Sequence, residues 1–258
     1  MIGRYVLRFA ALGYIAALLA TPVGYVFGKT FGHGFWPAWH GVATPDAVHA
    51  LKLTLIIAAI AVPANTIFGV LAALAIVRHR FPGAGIFNAV VDLPLALSPV
   101  VVGLALLLLY GRGGWLGGHH VLFALPGMVL ATMLVCLPFV VREVVPVLRE
   151  IGTEQEQAAA TLGASALQTF VRVTWPAIRW ATAFGVVLGT ARALGEFGAV
   201  SVVSGRLAEQ TETLTLYVQD RYQAFDETGA YASAVVLALI AVTTLLLMTA
   251  LKPKEETR

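Results

Sequence analysis

Six long apolar runs dominate this sequence, and each is long enough for one helix to cross a lipid bilayer. A helix rises about 1.5 Å per residue, so about 20 residues cross the ~30 Å hydrocarbon core. Of the 258 residues, 59% are hydrophobic and 12% are charged, and no run shows the polar face of a soluble-protein helix. We therefore predict an all-α integral membrane protein with a single transmembrane domain, 1–258, whose six spans lie at about 5–27, 51–77, 85–110, 121–141, 178–203 and 229–251.

The first run follows Arg4 and Arg8, an arrangement that a secretory signal peptide also has. However, the run continues through "ALLATPVGYVF" without a small-residue cleavage pattern, and it is too long for the apolar part of a signal peptide. We interpret it as the first span.

The lysines and arginines between the spans predict the orientation. With the N-terminus inside, eleven of them lie on the cytoplasmic side and five on the outer side. The cytoplasmic set is Arg4, Arg8, Arg78, Arg80, Arg142, Arg149, Arg172, Arg179, Lys252, Lys254 and Arg258. The outer set is Lys29, Lys52, Arg112, Arg206 and Arg221. The bias places both termini and the segment 142–177 in the cytoplasm. It also accounts for the net charge of +3 without nucleic-acid binding, because no exposed aromatics alternate with the basic residues.

The cytoplasmic segment begins with the signals of a short helix. Thr153 and Glu156 have the spacing of a capping box, in which each side chain bonds the other residue's backbone N–H. Gly163 tolerates the left-handed backbone that ends many helices. The spacing predicts a helix over about 154–162.

The same signals follow a second time. Ser165 and Gln168 repeat the capping-box spacing, and Pro176 is expected to end the helix that they begin. We predict this second helix over about 166–174, with an apolar face that includes Leu167 and Phe170.

Small and apolar faces on two short cytoplasmic helices predict docking into a groove of a partner protein. The alternative is a helix that lies on the lipid surface, but 154–171 has no lysine or arginine for anionic lipid. Nucleotide binding by this chain is not expected. "GYVFGKT" at 24–30 has three spacers where a phosphate-binding loop has four, so any ATP would be bound by another chain.

The stretch "QAAATLGASALQTFVRVTWP" resembles the signature of ABC importer permeases, namely Glu-Ala-Ala, three spacers, Gly, nine spacers and Ile-x-Leu-Pro. Ala158, Ala159, Gly163, Val173 and Pro176 match it, whereas Gln157 stands at the glutamate position and Trp175 at the leucine position. In that family the motif forms the helix that docks into the ATPase. The resemblance implies an ATPase-docking role for Glu156, Gln157, Ala158, Ala159, Gly163, Ala164, Leu167 and Phe170.

Three further stretches, at 81–117, 191–205 and "TETLTLYVQDRY", resemble the sulfate/thiosulfate permeases, the W-type subunit more than the T-type. The resemblance implies the type I importer architecture in a bacterial inner membrane. It also implies a homologous second permease, two ATPase subunits that bind ATP and Mg²⁺, and an extracytoplasmic sulfate-binding protein, with no cofactor and no enzymatic chemistry in this chain. A molybdate or tungstate permease and the T-type partner are the alternatives within the class. An ATP-independent secondary transporter is the alternative outside it, although the inverted repeats typical of that class are not evident.

Ionisable residues inside apolar runs usually have a function. Arg192 and Glu196 are spaced to pair on one face of the fifth span, either as an outer gate or as a structural pair. Direct sulfate binding by Arg192 is less favoured, because Glu196 already matches its charge. Asp92 in the third span is either a pin at the inner mouth or a pathway group. Pro94 and Pro99 are either hinges or pathway wall. Outside the spans, the apolar stripe through Leu214 and Val218 predicts a helix at the interface.

Overall fold

The computed structural model describes residues 2–32, 34–79, 81–117 and 121–251. All regular secondary structure in these ranges is helical, which confirms the all-α prediction. The helices are α1 (Ile2–Phe31), α2 (Phe35–Val42), α3 (Pro45–Arg78), α4 (Ala84–Ala96), α5 (Pro99–Tyr110), α6 (Leu125–Glu150), α7 (Glu154–Thr161), α8 (Ala166–Thr169), a π-helical segment (Phe170–Thr174), α9 (Trp175–Leu194), α10 (Val200–Val203), α11 (Leu214–Gln223) and α12 (Glu227–Leu251).

Four helical stretches are long and apolar enough to span a membrane: Leu7–Phe31, Pro45–Arg78, Leu125–Glu150 and Glu227–Thr244. The pair α4 and α5 passes the same test together, and the two helices are bent by 112° at the break between them. The structure therefore has four candidate spans, or five if the bent pair is one span. The six-span count and the cytoplasmic termini remain predictions.

The helix α6 is the centre of the bundle, packed between α3 and α9. Two glycines permit the close approach. A Cβ atom at Gly69 of α3 would lie 2.7 Å from Val140 Cβ, and one at Gly185 of α9 would lie 2.8 Å from Val140 Cα. Small residues at such positions allow helices in a membrane to pack backbone to backbone. A buried cluster at this crossing includes Val70, Val144, Leu148 and Ile178.

The third apolar run is not one helix, so the predicted span at 85–110 is wrong as a continuous element. Leu97 and Ser98 have extended backbone, and Pro99 lies in the first turn of α5. A residue before proline is pushed out of the helical region, and proline is favoured in a first turn. Pro94, in contrast, lies inside α4.

The fifth run is also broken, since α9 ends at Leu194 and the predicted span at 178–203 continues past it. The chain turns at Gly195 and enters the short helix α10, which packs on α5. Gly198 is the point of contact, because a Cβ atom there would lie 2.8 Å from Pro99 Cβ. The two broken runs therefore meet at their breaks.

Two helices extend beyond their apolar runs. Helix α3 begins at Pro45, six residues before the predicted start of that span at 51, and Thr44 caps it by accepting a hydrogen bond from Ala47 N at 3.2 Å. Helix α6 continues to Glu150, past the predicted end at 141. The predicted cytoplasmic segment 142–177 therefore starts inside α6, and α7 follows α6 after a short turn.

Candidate docking site and charged pairs

The first short helix forms where the sequence predicts it, but the capping box at Thr153 is wrong. Thr153 precedes α7, and its side chain caps no backbone N–H. Its hydroxyl instead accepts a hydrogen bond from Gln157 Nε2 at 3.1 Å. Glu156 does not reach back to Thr153, because it pairs with Arg78 at 2.9 Å. A carboxylate binds a guanidinium more strongly than it binds a neutral N–H, so Glu156 pairs with the distant Arg78 instead of capping the helix.

The turn between α7 and α8 follows the predicted signals. Gly163 has φ of +84°, in the left-handed region. The N–H groups of Gly163 and Ala164 donate back to the carbonyls of Ala160 and Ala159, at 3.0 Å each. The capping box of Ser165 and Gln168 is present in both directions, which confirms that prediction.

The second short helix does not end at Pro176, and that prediction is wrong. Helix α8 passes through the π-helical segment into α9, so the chain is helical from Ala166 to Leu194. Trp175 N donates to Phe170 O, five residues back. Pro176 lies in the first turn of α9 and has no N–H to offer an α-helical bond, and a π-bulge accommodates such a missing donor. The docking segment is thus continuous with the helix that follows it.

The surface of this hairpin, residues 153–174, exposes large apolar side chains. Leu162 is 89% exposed, Leu167 72% and Val171 53%. Gln157 and Ala158 are exposed, whereas Ala159, Ala164 and Phe170 are partly buried. Phe170 packs against the buried cluster of Leu148 and Ile178 and anchors the hairpin.

Sequence reasoning did not include Leu162 among the docking residues. The signal was present, because Leu162 is the one large apolar residue in or directly after the polar helix "EQEQAAAT" and before the turning glycine. A shallow cleft lies beside it, lined by Ala159, Gly163, Ala164, Gln168, Thr169, Arg172 and Val173. Helix α7 itself buries none of its residues. Exposed apolar side chains beside a cleft are typical of an interaction surface.

Arg78, the last residue of α3, lies beneath the hairpin and donates hydrogen bonds from all three nitrogens of its guanidinium group. Nε and Nη2 donate to the two carboxylate oxygens of Glu156 at 2.9 and 3.2 Å. Nη1 donates to Leu148 O at 2.9 Å and Nη2 to Gly152 O at 2.7 Å. Glu156 also accepts from Thr174 Oγ1 at 2.8 Å. The predicted docking residue Glu156 therefore faces the bundle.

The predicted pair of Arg192 and Glu196 forms, with Nη1 and Oε2 2.5 Å apart. The two residues do not share a helix face, however, because α9 ends between them. Glu196 is 3% exposed, and its Oε1 accepts from Ala199 N at 2.8 Å. Its backbone carbonyl accepts from Thr215 Oγ1 at 2.8 Å, which ties α11 to this turn. The pair links the last turn of α9 to the turn that follows it. A gate and a structural role both remain predictions.

Asp92 joins α4 to α6. Its Oδ2 lies 2.6 Å from Arg142 Nη2 and accepts from Asn88 Nδ2 at 3.2 Å. The Arg142 side chain is 56% exposed, so the pair lies at the surface of the described chain. The contact joins the two helices, and the pin at the inner mouth and the pathway group both remain predictions. The predicted hinges differ, because the chain breaks at Pro99 and stays helical at Pro94.

Comparison with known proteins places this fold and hairpin in a family. The family "Binding-protein-dependent transport system inner membrane component" matches residues 65–256. A protein of Synechocystis sp. named "Sulfate transport system permease protein CysW" is 47% identical over 250 residues, which are 95% of this chain and 91% of that protein. The protein of the same name from Escherichia coli strain K12 is 45% identical over 97% of this chain and 88% of its own length.

Solved structures show the same fold at low sequence identity. A chain of a bacterial ABC transporter involved in alginate import superposes with a TM-score of 0.79 at 17% identity, covering 98% of this chain and 96% of that one. A second alginate transporter structure, in complex with a pentasaccharide-bound periplasmic protein, gives a TM-score of 0.75 at 18% identity over 95% of this chain and 92% of that one. The family match over most of the chain, together with these relatives, shows that the chain belongs to the binding-protein-dependent transport system inner membrane components.

Proposed function

We propose that this chain is a permease subunit of an ATP-driven sulfate or thiosulfate importer in a bacterial inner membrane. It forms one half of the translocation pathway, and a homologous permease forms the other half. The observation that carries the proposal is the 153–174 hairpin, which presents Leu162 and Leu167 to solvent beside a cleft in a chain of this family. Apolar side chains at the tip of a rigid hairpin suit a hydrophobic groove of a partner.

The partner on the hairpin is an ATPase, one subunit for each permease. ATP and Mg²⁺ belong to the ATPase, and this chain contributes no cofactor site. The docking contact is made by shape and apolar surface, through Leu162, Leu167 and the exposed face of Gln157 and Ala158.

The continuous helix from Ala166 to Leu194 supports a mechanical role. When the ATPase subunits close, they displace the docked hairpin. Since α8 enters α9 without a loop, the displacement passes along α9 as the movement of a rigid element. At the other end of α9, Gly198 contacts Pro99 beside the break between α4 and α5, so the moving helix is also in contact with that broken pair. Alternating access follows if the pathway opens in turn to the two sides of the membrane.

The substrate assignment depends on the relatives. Those with 45–47% identity are named sulfate permeases, and T-type relatives at 37% identity carry the sulfate name as well. A periplasmic protein occurs in one related transporter complex, which supports delivery of the anion by an extracytoplasmic binding protein. Molybdate and tungstate are the alternative oxyanions.

The test is uptake by the full assembly in proteoliposomes, that is, this chain with its second permease, ATPase and binding protein. We expect labelled sulfate to enter only with hydrolysable ATP, and unlabelled sulfate and thiosulfate to compete better than molybdate and tungstate. Stronger competition by molybdate would reassign the substrate. Uptake that persists without the ATPase would identify a secondary transporter instead.

A further inference from the structure

We propose that Arg78 and Glu156 form a coupling clamp, which transmits displacement of the docking helix α7 to α3, α6 and α9. The inference rests on the proposed function, because it assumes that α7 receives a push from an ATPase. It gives a role to two residues whose side chains bond within the bundle, and it assigns Glu156 to force transmission rather than to the docking surface.

The first step is that α7 has few other connections to the bundle. It buries none of its residues, and its main contacts are with α8 and the π-helical segment. Chain connections join α7 to α6 and α8, but neither joins it to α3. A push on α7 can reach α3 indirectly, through α6 and α9, which both pack on α3. The Arg78–Glu156 pair adds a direct contact between α7 and α3.

The second step is the number of segments that this pair joins. Arg78 ends α3, and it binds Leu148 O in the last turn of α6 and Gly152 O in the turn that follows. Glu156 lies in α7, and it accepts from Thr174 at the end of the π-helical segment. One guanidinium–carboxylate pair thus holds the ends of α3 and α6, helix α7 and the start of α9.

The third step is that the contact is rigid. The side chains of Arg78 and Glu156 are 11% and 22% exposed, so water competes for few of their bonding positions. A planar guanidinium with fixed donor directions holds its acceptors in one geometry, which lysine with its single rotating ammonium does not reproduce. A cation at the end of α6 is further favoured by the negative end of the helix dipole.

The experiment measures ATP hydrolysed per sulfate transported by the reconstituted full complex. We expect Glu156→Ala and Arg78→Lys to raise this ratio about tenfold, within the usual range of coupling between distant sites, while the ATPase still co-purifies and hydrolyses ATP. Glu154→Ala is the matched control, because Glu154 is an exposed carboxylate in the same helix with no described hydrogen bond or ion pair, and the ratio should not change.

An unchanged ratio in assembled Glu156→Ala and Arg78→Lys complexes would overturn the inference. If the ATPase does not co-purify with either variant, the same ratio is measured for Glu156→Gln and Thr174→Val. Both keep the shape of the side chain, but Glu156→Gln removes the charge and Thr174→Val removes one hydrogen bond. A raised ratio in these two supports the clamp, and a normal ratio refutes it. Failure of the proposed function is distinct, because the wild-type complex would then show no ATP-dependent uptake.

Discussion

The two ends of α9 each carry an arginine–glutamate pair, and the pairs do different things. At the N-terminal end, Arg78 and Glu156 are 78 residues apart in sequence and hold several segments together. At the C-terminal end, Arg192 and Glu196 are four residues apart and close one turn. The first pair links separate helices, whereas the second links two positions within one turn.

The packing around the two ends of α9 also differs. The hairpin before α9 leaves Leu162 and Leu167 exposed and α7 without a core of its own. In the turn after α9, Glu196 and Ala199 are buried. Thr215 of α11 bonds the carbonyl of Glu196, and Gly198 lies against Pro99. An element that receives a partner is expected at the loosely packed end, and an element that resists unfolding at the buried end.

The largest effect on stability should come from the buried pair. Glu196→Ala leaves Arg192 without its carboxylate and Ala199 N–H without its acceptor, and breaking a buried pair costs about 3 kcal/mol. The 32% exposure of the Arg192 side chain reduces that cost, because water reaches the freed charge. Glu156→Ala should cost less, about 1.5 kcal/mol, because Arg78 keeps the carbonyls of Leu148 and Gly152 as hydrogen-bond acceptors.

Thermal unfolding in detergent shows which of these two variants is less stable. A lower midpoint for Glu156→Ala than for Glu196→Ala would reverse the comparison of the two ends.

The next effect separates coupling from stability. Gly163→Val and Gly83→Val each force a side chain onto a left-handed backbone, with φ of +84° and +90° and no neighbouring atom within 4 Å of the added Cβ. Each should cost about 1–2 kcal/mol of stability. Only Gly163 lies in the docking hairpin, so only its variant should hydrolyse more ATP per sulfate transported. Equal coupling in the two variants would argue against docking through this turn.

The smallest effect is a pH dependence at Glu212, which lies between α10 and α11, beyond the C-terminal end of α9. Burial, and then the neighbouring Asp220 carboxylate, raise the pKa of Glu212 from its usual 4.5 to about 7. The folded protein therefore favours the protonated form. The stabilisation is complete below the usual pKa and is lost as the pH rises through about 7.

Unfolding midpoints between pH 5 and pH 8, the window set by that raised pKa of Glu212, should fall with rising pH in the wild type and fall less in Glu212→Gln. Glu209→Gln, at an exposed neighbouring position, should keep the wild-type slope. If the midpoint of Glu212→Gln falls with pH as steeply as that of the wild type, the Glu212 carboxyl group is not the cause of the pH dependence.

Local signals predicted the hairpin well and the ends of the long helices poorly. Gly163 and the Ser165 box behave as their sequence predicts, because their partners are three to five residues away. Thr153 has the same signal as Ser165, but its glutamate is taken by Arg78 from a distant helix.

The breaks in the third and fifth runs depend on contacts that no single stretch of sequence contains. The contact of Gly198 with Pro99 forms only when α5 and α10 meet. Apolar composition alone therefore predicted continuous spans at both places. The extension of α6 to Glu150 could not be predicted from its own sequence either, because the distant Arg78 binds the carbonyls at its polar end.

The most direct test of the docking assignment is a cross-link from the tip of the hairpin. Cys136, the single cysteine of the sequence, is 2% exposed, so Leu162→Cys introduces the one readily accessible thiol. Labelled with a photoreactive thiol reagent in the assembled complex, this position should form an adduct with the ATPase subunit. Trp115→Cys, at a position that is 94% exposed in the loop after α5, should not. Absence of the adduct at Leu162→Cys, or equal yields from the two positions, would contradict docking through the hairpin.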